Sequence, residues 1–436
     1  MTERALLAPE LVAAAQKAQR EFGLCDACLG RRFGKVETGL TNPERARAYG
    51  LAAVDAKACW LCEGIFGELD AIADVAAKAL APYEHRHFLV GTKLDPAMEL
   101  REAELAAALA LGDKTERTQA EMNREVGKRV AARTGKPVEF KAPDITVILD
   151  TRFFDAEVQF GALYVFGRYR KLSREIPQTR WPCSRCGGRR CAQCAMTGQQ
   201  YPTSVEALVA GPFLEATGAT QESFHGAGRE DIDARCVGEG RPFVLELKDP
   251  RVRSIDLAEF PARVKAFSEG RVEVDALRFT TKAEVAHVKE HGGGKTYLAR
   301  VRFARAVEEA TLRAALDALR GAAIQQRTPQ RVEHRRADLV RARTVRAIEI
   351  EEHEGESATL RIGGDAGLYI KELVSSDEGR TTPSLSGLLG VEAKVTELDI
   401  VAVEYEAPAP GPGPGRPGPG PRPGPGPDQA PAEGGQ

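Results

Sequence analysis

The densest chemistry in this chain lies in Gly228-Arg229-Glu230-Asp231-Ile232-Asp233, followed by the apolar run Pro242-Phe243-Val244-Leu245 that closes on Glu246-Leu247-Lys248. Carboxylates crowded beside a buried strand carry a desolvation cost unless they are paired or do chemistry. Two chemistries use such a pattern. In one, Asp231 or Asp233 joins Glu246 in holding a divalent metal while Lys248 orients an attacking water, the arrangement of a metal-dependent nuclease. That pattern is loose, because Glu246 and Lys248 read equally as outward residues of a half-buried strand. The other chemistry rests on Gly228-Arg229-Glu230-Asp231 itself, a tetrapeptide that by itself reads as an ordinary surface turn.

Eight of the nine cysteines form pairs with two residues between their members: Cys25/Cys28, Cys59/Cys62, Cys183/Cys186 and Cys191/Cys194. With no export signal expected, this is a metal pattern and not a disulfide framework. Thiolates two residues apart can face one ion from a tight turn, and two such turns close a tetrahedral site. In the compact set 183–194, Gly187 and Gly188 let the chain reverse. The other set has thirty residues between its pairs. Redox use, and pairing across the two sets, stay open. Four thiolates leave no open coordination position, so zinc in either set is structural, one or two ions in all. Cys236 stands alone and reads as a core residue.

These residues must be held by a soluble fold. The chain has 436 residues, 42% hydrophobic and 28% charged, enough for two or three domains. No apolar run is long enough for a membrane helix, so no membrane partner is expected. Pro9 suits the first turn of a helix and Gly23 its stop, and charges interrupt the segment, which reads as a helix and not a signal peptide. The formal net charge of −2 does not announce a nucleic-acid binder. Local clusters do: residues 327–346 hold seven arginines against Glu333 and Asp338, and Arg168, Arg170, Lys171 and Arg174 surround Tyr169. With the metal-type cysteines they point to a polyanionic partner.

Residues 1–66 read as a helix and a metal-tied module, and residues 67–135 as helices. Ile145–Asp150 is a buried-type strand. Residues 157–166 alternate as one strand running into the basic loop Gly167-Arg168-Tyr169-Arg170-Lys171. Residues 67–180 are thus expected to form a small α/β accessory domain. The cysteine knuckle occupies 181–200. A capped helix from Thr203 to Gly218, strands near 242–248, 296–303, 345–352, 359–362 and 393–405, and helices near 256–268 and 306–320 predict an α+β catalytic domain over 201–406. Its sheet should be mixed and mostly antiparallel. From 407 to 436 the chain is almost only proline, glycine and arginine and cannot bury apolar surface, so disorder is expected.

Taken together, the segments Gly167–Leu172, Ile176–Trp181, Gly228–Arg235, Lys295–Ala299, Gln326–Arg336 and Tyr369–Glu372 resemble a pseudouridine synthase, specifically the archaeal tRNA family acting in the T arm at positions 54 and 55. The resemblance covers nearly the whole folded chain, and six segments in family order are far more specific than any one. The family carries an N-terminal RNA-binding domain of the THUMP type tied to a four-cysteine zinc site, which fits residues 1–180. The Pro/Gly tail departs from the family pattern and touches no motif.

The resemblance implies an isomerase that cuts the bond from uracil to ribose, turns the base and rejoins it through carbon, with no redox cofactor, no small-molecule cofactor and no catalytic metal. Asp231 matches the family's nucleophile, and Lys371 the cation that keeps it ionised. Tyr297 matches the tyrosine that stacks on the target base, Leu398 the opposite wall, and Arg229 the residue that fills the space left by the extruded nucleotide. Asp233 and Glu230 would orient neighbours or pair with Arg235. Arg168, Lys171, Arg327, Arg331, His334, Arg335 and Arg336 are expected to grip RNA, the last five from a thumb-like loop. A monomer acting on tRNA in the cytoplasm is expected. The competing readings are the nuclease and a non-catalytic zinc RNA-binding protein.

Overall fold

The computed structural model describes residues 9–36, 39–109, 114–290 and 292–407, apart from the side chains at 10, 11, 334 and 335. The Pro/Gly-rich tail from residue 408 lies outside the described residues. The chain folds around two hydrophobic cores. One gathers apolar side chains from Ala15 to Leu149, the other from Leu163 to Val403.

The first core begins with the helix Pro9–Phe22, ended by Gly23 at φ +61°, where the sequence places start and stop. Helix Asn42–Ala48 is held by a reciprocal cap between Thr41 and Glu44. Helices Leu69–Leu80 and Thr118–Thr134 pack on a small sheet of strands β1 (Phe88–Lys93), β2 (Ile145–Asp150) and β3 (Asp155–Phe160). β1 and β2 are parallel, β2 and β3 antiparallel. Residue 66 is therefore no boundary of packing: Leu24, Leu29 and Phe33 share one core with Ile72, Val126 and Val147. The buried Arg31, 2.6 Å from Glu121, bolts the two parts together.

The second boundary also moves. Residues 157–166, read as one strand, are two, parted at Gly161-Ala162. A Cβ on Gly161 would lie 2.5 Å from the Pro143 carbonyl, so glycine alone fits where the chain leaves the small sheet. Beyond it β4 (Leu163–Lys171) is a strand of the larger sheet, flanked on both sides, not the end of the accessory domain.

The larger sheet adds β5 (Gln221–Gly226), β6 (Arg235–Lys248), β7 (Val272–Thr280), β8 (Lys295–Phe303), β9 (Ala323–Arg327), β10 (Val340–His353), β11 (Ser357–Gly364), β12 (Thr381–Thr382) and β13 (Ala393–Val403). Its order is β12-β9-β10-β11-β8-β13-β6-β4-β7, with β5 also pairing β6. Only β13 and β6 run parallel, so the sheet is mixed and mostly antiparallel, as the sequence predicts. Helix Val205–Thr217 is capped by the Ser204 hydroxyl and stopped by Gly218. Helices Phe260–Phe267 and Glu309–Leu319 fall inside the segments read as helical. The loop after β6 joins the cores: Arg253 donates to the Asp144 carbonyl at 2.8 Å, and its own N–H donates to Glu84 at 2.7 Å.

Each cysteine set closes on itself, so no pair crosses between sets, and in each the four sulfurs lie within 4.8 Å of one another. Cys25 Sγ to Cys62 Sγ is 3.7 Å, and in the second set the close pairs lie at 3.7 and 4.0 Å. A tetrahedral ion with metal–sulfur bonds of about 2.3 Å sets its ligands about 3.8 Å apart, so both sets fit one structural ion. Arg31 donates to Cys28 Sγ at 3.2 Å, a charge that offsets the excess negative charge of four thiolates on a dication. The first set is buried inside the N-terminal core, whereas Cys191 and Cys194 are half-exposed. Replacing Cys25 and Cys28 by serine should therefore remove one metal ion per chain by elemental analysis and strongly lower the melting temperature. Replacing Cys183 and Cys186 should also remove one ion, with a smaller thermal shift; equal shifts would contradict this division.

Candidate active site

A cavity of about 820 Å³ opens beside the loop Gly228–Ala234, which links β5 to β6. It falls within the usual range of ligand pockets, about 300–1,000 Å³. The loop is fastened from beneath at four peptide groups. Arg241, fully buried in β6, donates to the Ala227 carbonyl at 2.7 Å. Gln178 Nε2 donates to the Gly228 carbonyl at 2.9 Å. Lys171 Nζ donates to the carbonyls of Asp231 (3.1 Å) and Ile232 (2.7 Å), and to Ile176 at 2.9 Å. Gly228 sits at φ +79°, and a Cβ there would approach Arg241 at 3.2 Å. The Glu230 side chain turns inward, 2.8 Å from Arg241 Nε and 2.9 Å from the Tyr169 hydroxyl. With residue 230 facing in, Asp231 faces the cavity, its side chain 27% exposed.

Asp231 Oδ2 accepts from Arg331 at 2.7 Å and lies 3.8 Å from Lys371 Nζ. Lys371 donates mainly to Asp233, at 2.7 and 2.9 Å. The direct cation of Asp231 is thus Arg331, read from sequence as an RNA grip, and Lys371 is the more distant of the two. Burial opposes charge on Asp233, but the Lys371 hydrogen bond and the charges of Lys371 and Arg331 hold its carboxyl below the usual range. Arg331 also reaches Glu372 at 2.7 Å. Glu230 and Asp233 do not pair with Arg235, which binds Asp399 instead at 3.0 Å.

Tyr297 on β8 and Leu398 on β13 line the cavity from adjacent antiparallel strands. Burial, first, and Asp231 push the Tyr297 hydroxyl up to about 12 against the pull of Arg241, so it keeps its proton at neutral pH. Arg174 donates to the carbonyls of Leu398 (2.9 Å) and Asp233 (3.0 Å), tying that wall to the loop. The Arg229 guanidinium lies 4.9 Å over the Trp181 ring, and Trp181 packs edge-on against Tyr201; all three line the cavity. Trp181 and Tyr201 flank the second cysteine set, whose stem the Pro182–Gln199 bridge closes. Sequence reasoning passed over Arg241, Gln178, Tyr201 and Lys295 as site residues; for all but Tyr201 a charged or amide side chain beside an apolar or buried segment was the available signal.

The basic cluster around Tyr169 is engaged within the protein. Lys171 is completely buried, Arg170 pairs with Glu273 and Asp275, and Arg168 donates to the Gly240 carbonyl at 3.0 Å. In the arginine-rich hairpin of β9 and β10, Arg327 pairs with Asp338 and Arg336 donates to the Tyr369 hydroxyl at 3.0 Å. His334 and Arg335 fall in the turn Gln330–Arg335, and their side chains lie outside the described residues. The nuclease arrangement does not assemble: Glu246 sits 3.0 Å from His225 Nε2, and neither it nor Lys248 lines the cavity. Among the described residues, the two cysteine sets are the clusters of potential metal ligands.

The family model for the C-terminal domain of Pus10 matches residues 164–404, and that for the archaeal Pus10 THUMP domain matches 72–150. The tRNA pseudouridine synthase Pus10 of Methanothrix thermoacetophila is 41% identical over 432 residues, 91% of this chain and 95% of that protein. The protein of the same name from Halorubrum lacusprofundi is 42% identical over 414 residues, 91% of this chain and 97% of that one. Solved structures are more distant: a chain of a Cbf5-Nop10-Gar1 complex aligns at a TM-score of 0.30 and 19% identity, covering 54% of this chain and 48% of that one.

Burial pushes the Lys171 ammonium down to about 8, an effect that Glu230 and the neighbouring acids only partly offset. Below pH 8 the folded protein carries the cost of that buried charge; between pH 8 and about 10.4 the unfolded chain binds the extra proton, so stability rises with pH. The stability of the wild type minus that of Lys171→Met should climb across this window by up to about 1.4 kcal/mol per pH unit in urea titrations. A flat or falling difference would refute the assignment.

Proposed function

This chain belongs to the Pus10 family of tRNA pseudouridine synthases, and we propose that it isomerises uridine 54, uridine 55 or both in the T loop of tRNA with Asp231 as nucleophile. The observation that carries this reading is the setting of Asp231. It is a cavity-facing carboxylate on a loop pinned at its backbone, with one guanidinium at 2.7 Å and an ammonium at 3.8 Å. A carboxylate that acts as a nucleophile calls for cations at its side.

In the reaction the N1–C1′ bond breaks, the uracil turns, a C5–C1′ bond forms, and C5 gives up a proton while N1 gains one. No oxidant, reductant or second substrate enters. The bond is concealed in a folded T loop, so the nucleotide must be flipped out at a cost of a few kcal/mol. The cavity supplies the receiving site: Tyr297 as stacking face, Leu398 as opposite wall, Lys371 and Arg331 as charge support. Arg229, on its Trp181 platform, fills the space the nucleotide leaves. Arg327 and Arg336, with His334 and Arg335, place the β9–β10 hairpin against the tRNA backbone as a thumb. Zinc is the ion assigned to each cysteine set, in a structural role. The enzyme acts as a monomer in the cytoplasm; among the described residues no helix is long and apolar enough to cross a membrane.

Asp231→Asn should lower pseudouridine formation in an unmodified tRNA transcript at least about 10³-fold while the Kd for tRNA stays within about threefold, since such variants remove a covalent step and keep binding. Carbodiimide labelling with primer extension reads the product, because the isomer has the mass of uridine. Conversion that persists in the variant, or conversion mapped away from positions 54 and 55, overturns the corresponding half of the proposal.

A further inference from the structure

Among the described residues, the cations that line the cavity have assignments within the protein, with one exception. Arg331 serves Asp231 and Glu372, Lys371 serves Asp233, Arg241 serves Glu230, Arg336 donates to the Tyr369 hydroxyl, and Arg229 lies on the Trp181 ring. Lys295 opens β8 and its side chain reaches the loop: a Cβ on Gly228 would lie 3.5 Å from its Nζ. Among the described residues no hydrogen bond and no carboxylate is assigned to that ammonium. Burial, and then the charge of Arg241, pull it down to about 8, with no acid working the other way. An ammonium in such a place costs stability that a purely structural role does not return.

Its position identifies the ligand. Residues two apart on a strand share one face and stand about 6.6 Å apart. Lys295 therefore faces the cavity beside Tyr297, and a uracil stacked on the Tyr297 ring turns an edge towards it. We propose that Lys295 is a substrate-binding residue of this cleft that donates a hydrogen bond to O4 of the target uracil. The proposal rests on the reading of the cleft given above. Charge reaches O4 whichever carbon Asp231 attacks. If it attacks C1′, the N1–C1′ electron pair passes to the uracil and spreads over O2 and O4. If it attacks C6, the C5=C6 pair is pushed towards C4 and rests on O4. In both cases the ammonium holds the developing charge without giving up its proton, and a donor aimed where charge develops lowers the barrier most.

The test compares full-length wild type, Lys295→Met and Lys295→Arg in single-turnover reactions on ligated tRNA. One substrate carries 4-thiouridine at the target, another a neutral methylphosphonate on its 5′ side. Lys295→Met should slow conversion of normal tRNA by about 10²-fold, the usual loss of one such donor, with tRNA Kd near wild type and a melting temperature at or above it, and Lys295→Arg should restore part of the rate. The 4-thio substrate, whose sulfur accepts poorly, should slow the wild type but add little to the loss in Lys295→Met. The methylphosphonate should act equally on both proteins. Coupling to the methylphosphonate instead would make Lys295 a phosphate ligand and overturn the proposal, as would a Lys295→Met rate within about threefold of wild type, too small for a lost oxyanion donor. Asp231→Asn, run alongside, separates the failures: if it stays active, the cleft itself has been misread.

Discussion

The loop that carries Asp231 depends on one buried ion pair, Arg241 with Glu230, together with the buried Lys171 ammonium beside it. Both members of the pair are withdrawn from water, and Tyr169 and Gln178 complete the network at 2.9 and 2.7 Å. Such a pair adds little net stability over an apolar packing, but removing one partner leaves a bare charge at a cost of about 3–5 kcal/mol. Its value here is geometric. Arg241 and Lys171 hold four carbonyls of the segment 227–232 with Gln178, which fixes the loop's backbone without any contact from RNA. Preorganised groups do not have to reorganise during the reaction, which is where most electrostatic catalysis originates. Two of the anchors, Lys171 and Arg241, come from β4 and β6, adjacent strands in the interior of the larger sheet.

That arrangement explains what the sequence disclosed and what it hid. The cysteine sets were legible because metal ligation is local in sequence, and Asp231 because its loop is one contiguous motif. The strands near 296–303 and 393–405 announced themselves by apolar alternation. The basic run Arg168-Tyr169-Arg170-Lys171 misled because charge was weighed before alternation. Along β4, Leu163, Val165, Tyr169 and Lys171 fall on one buried face, while Arg168 and Arg170 fall on the other. Followed through to residue 171, the same period of two places the lysine inside. Arg241 is the parallel case, one step before the apolar run of β6.

The domain boundaries were less legible for a different reason. A composition shift marks where helices give way to strands, but a core is defined by which side chains pack together, and that is nonlocal. The buried Arg31 lies in the cysteine module and its acid, Glu121, ninety residues on, so the module and the helices form one packed body. The pairing of acids and bases at the cleft was hidden likewise: Arg331 and Asp231 are one hundred residues apart, and no spacing rule connects them.

The charges at the cleft form an alternating line: Glu372, Arg331, Asp231, Lys371, Asp233. Asp231, at the centre, has two cations, and each cation has a second acid. Neither cation is committed to Asp231 alone. Both cations are delivered by segments that the β9–β10 hairpin positions. Arg331 stands in the turn of the hairpin, and Gln326 on β9 exchanges two hydrogen bonds with the Tyr369 backbone, where the helix Ile370–Ser375 bearing Lys371 begins. Arginines that grip phosphates would pull on the same hairpin that sets the charge around residue 231. With Asp231 as the proposed nucleophile, substrate capture would thereby be joined to the charge around it through one short antiparallel ribbon, and the energy of gripping the backbone would be available at the reacting atoms.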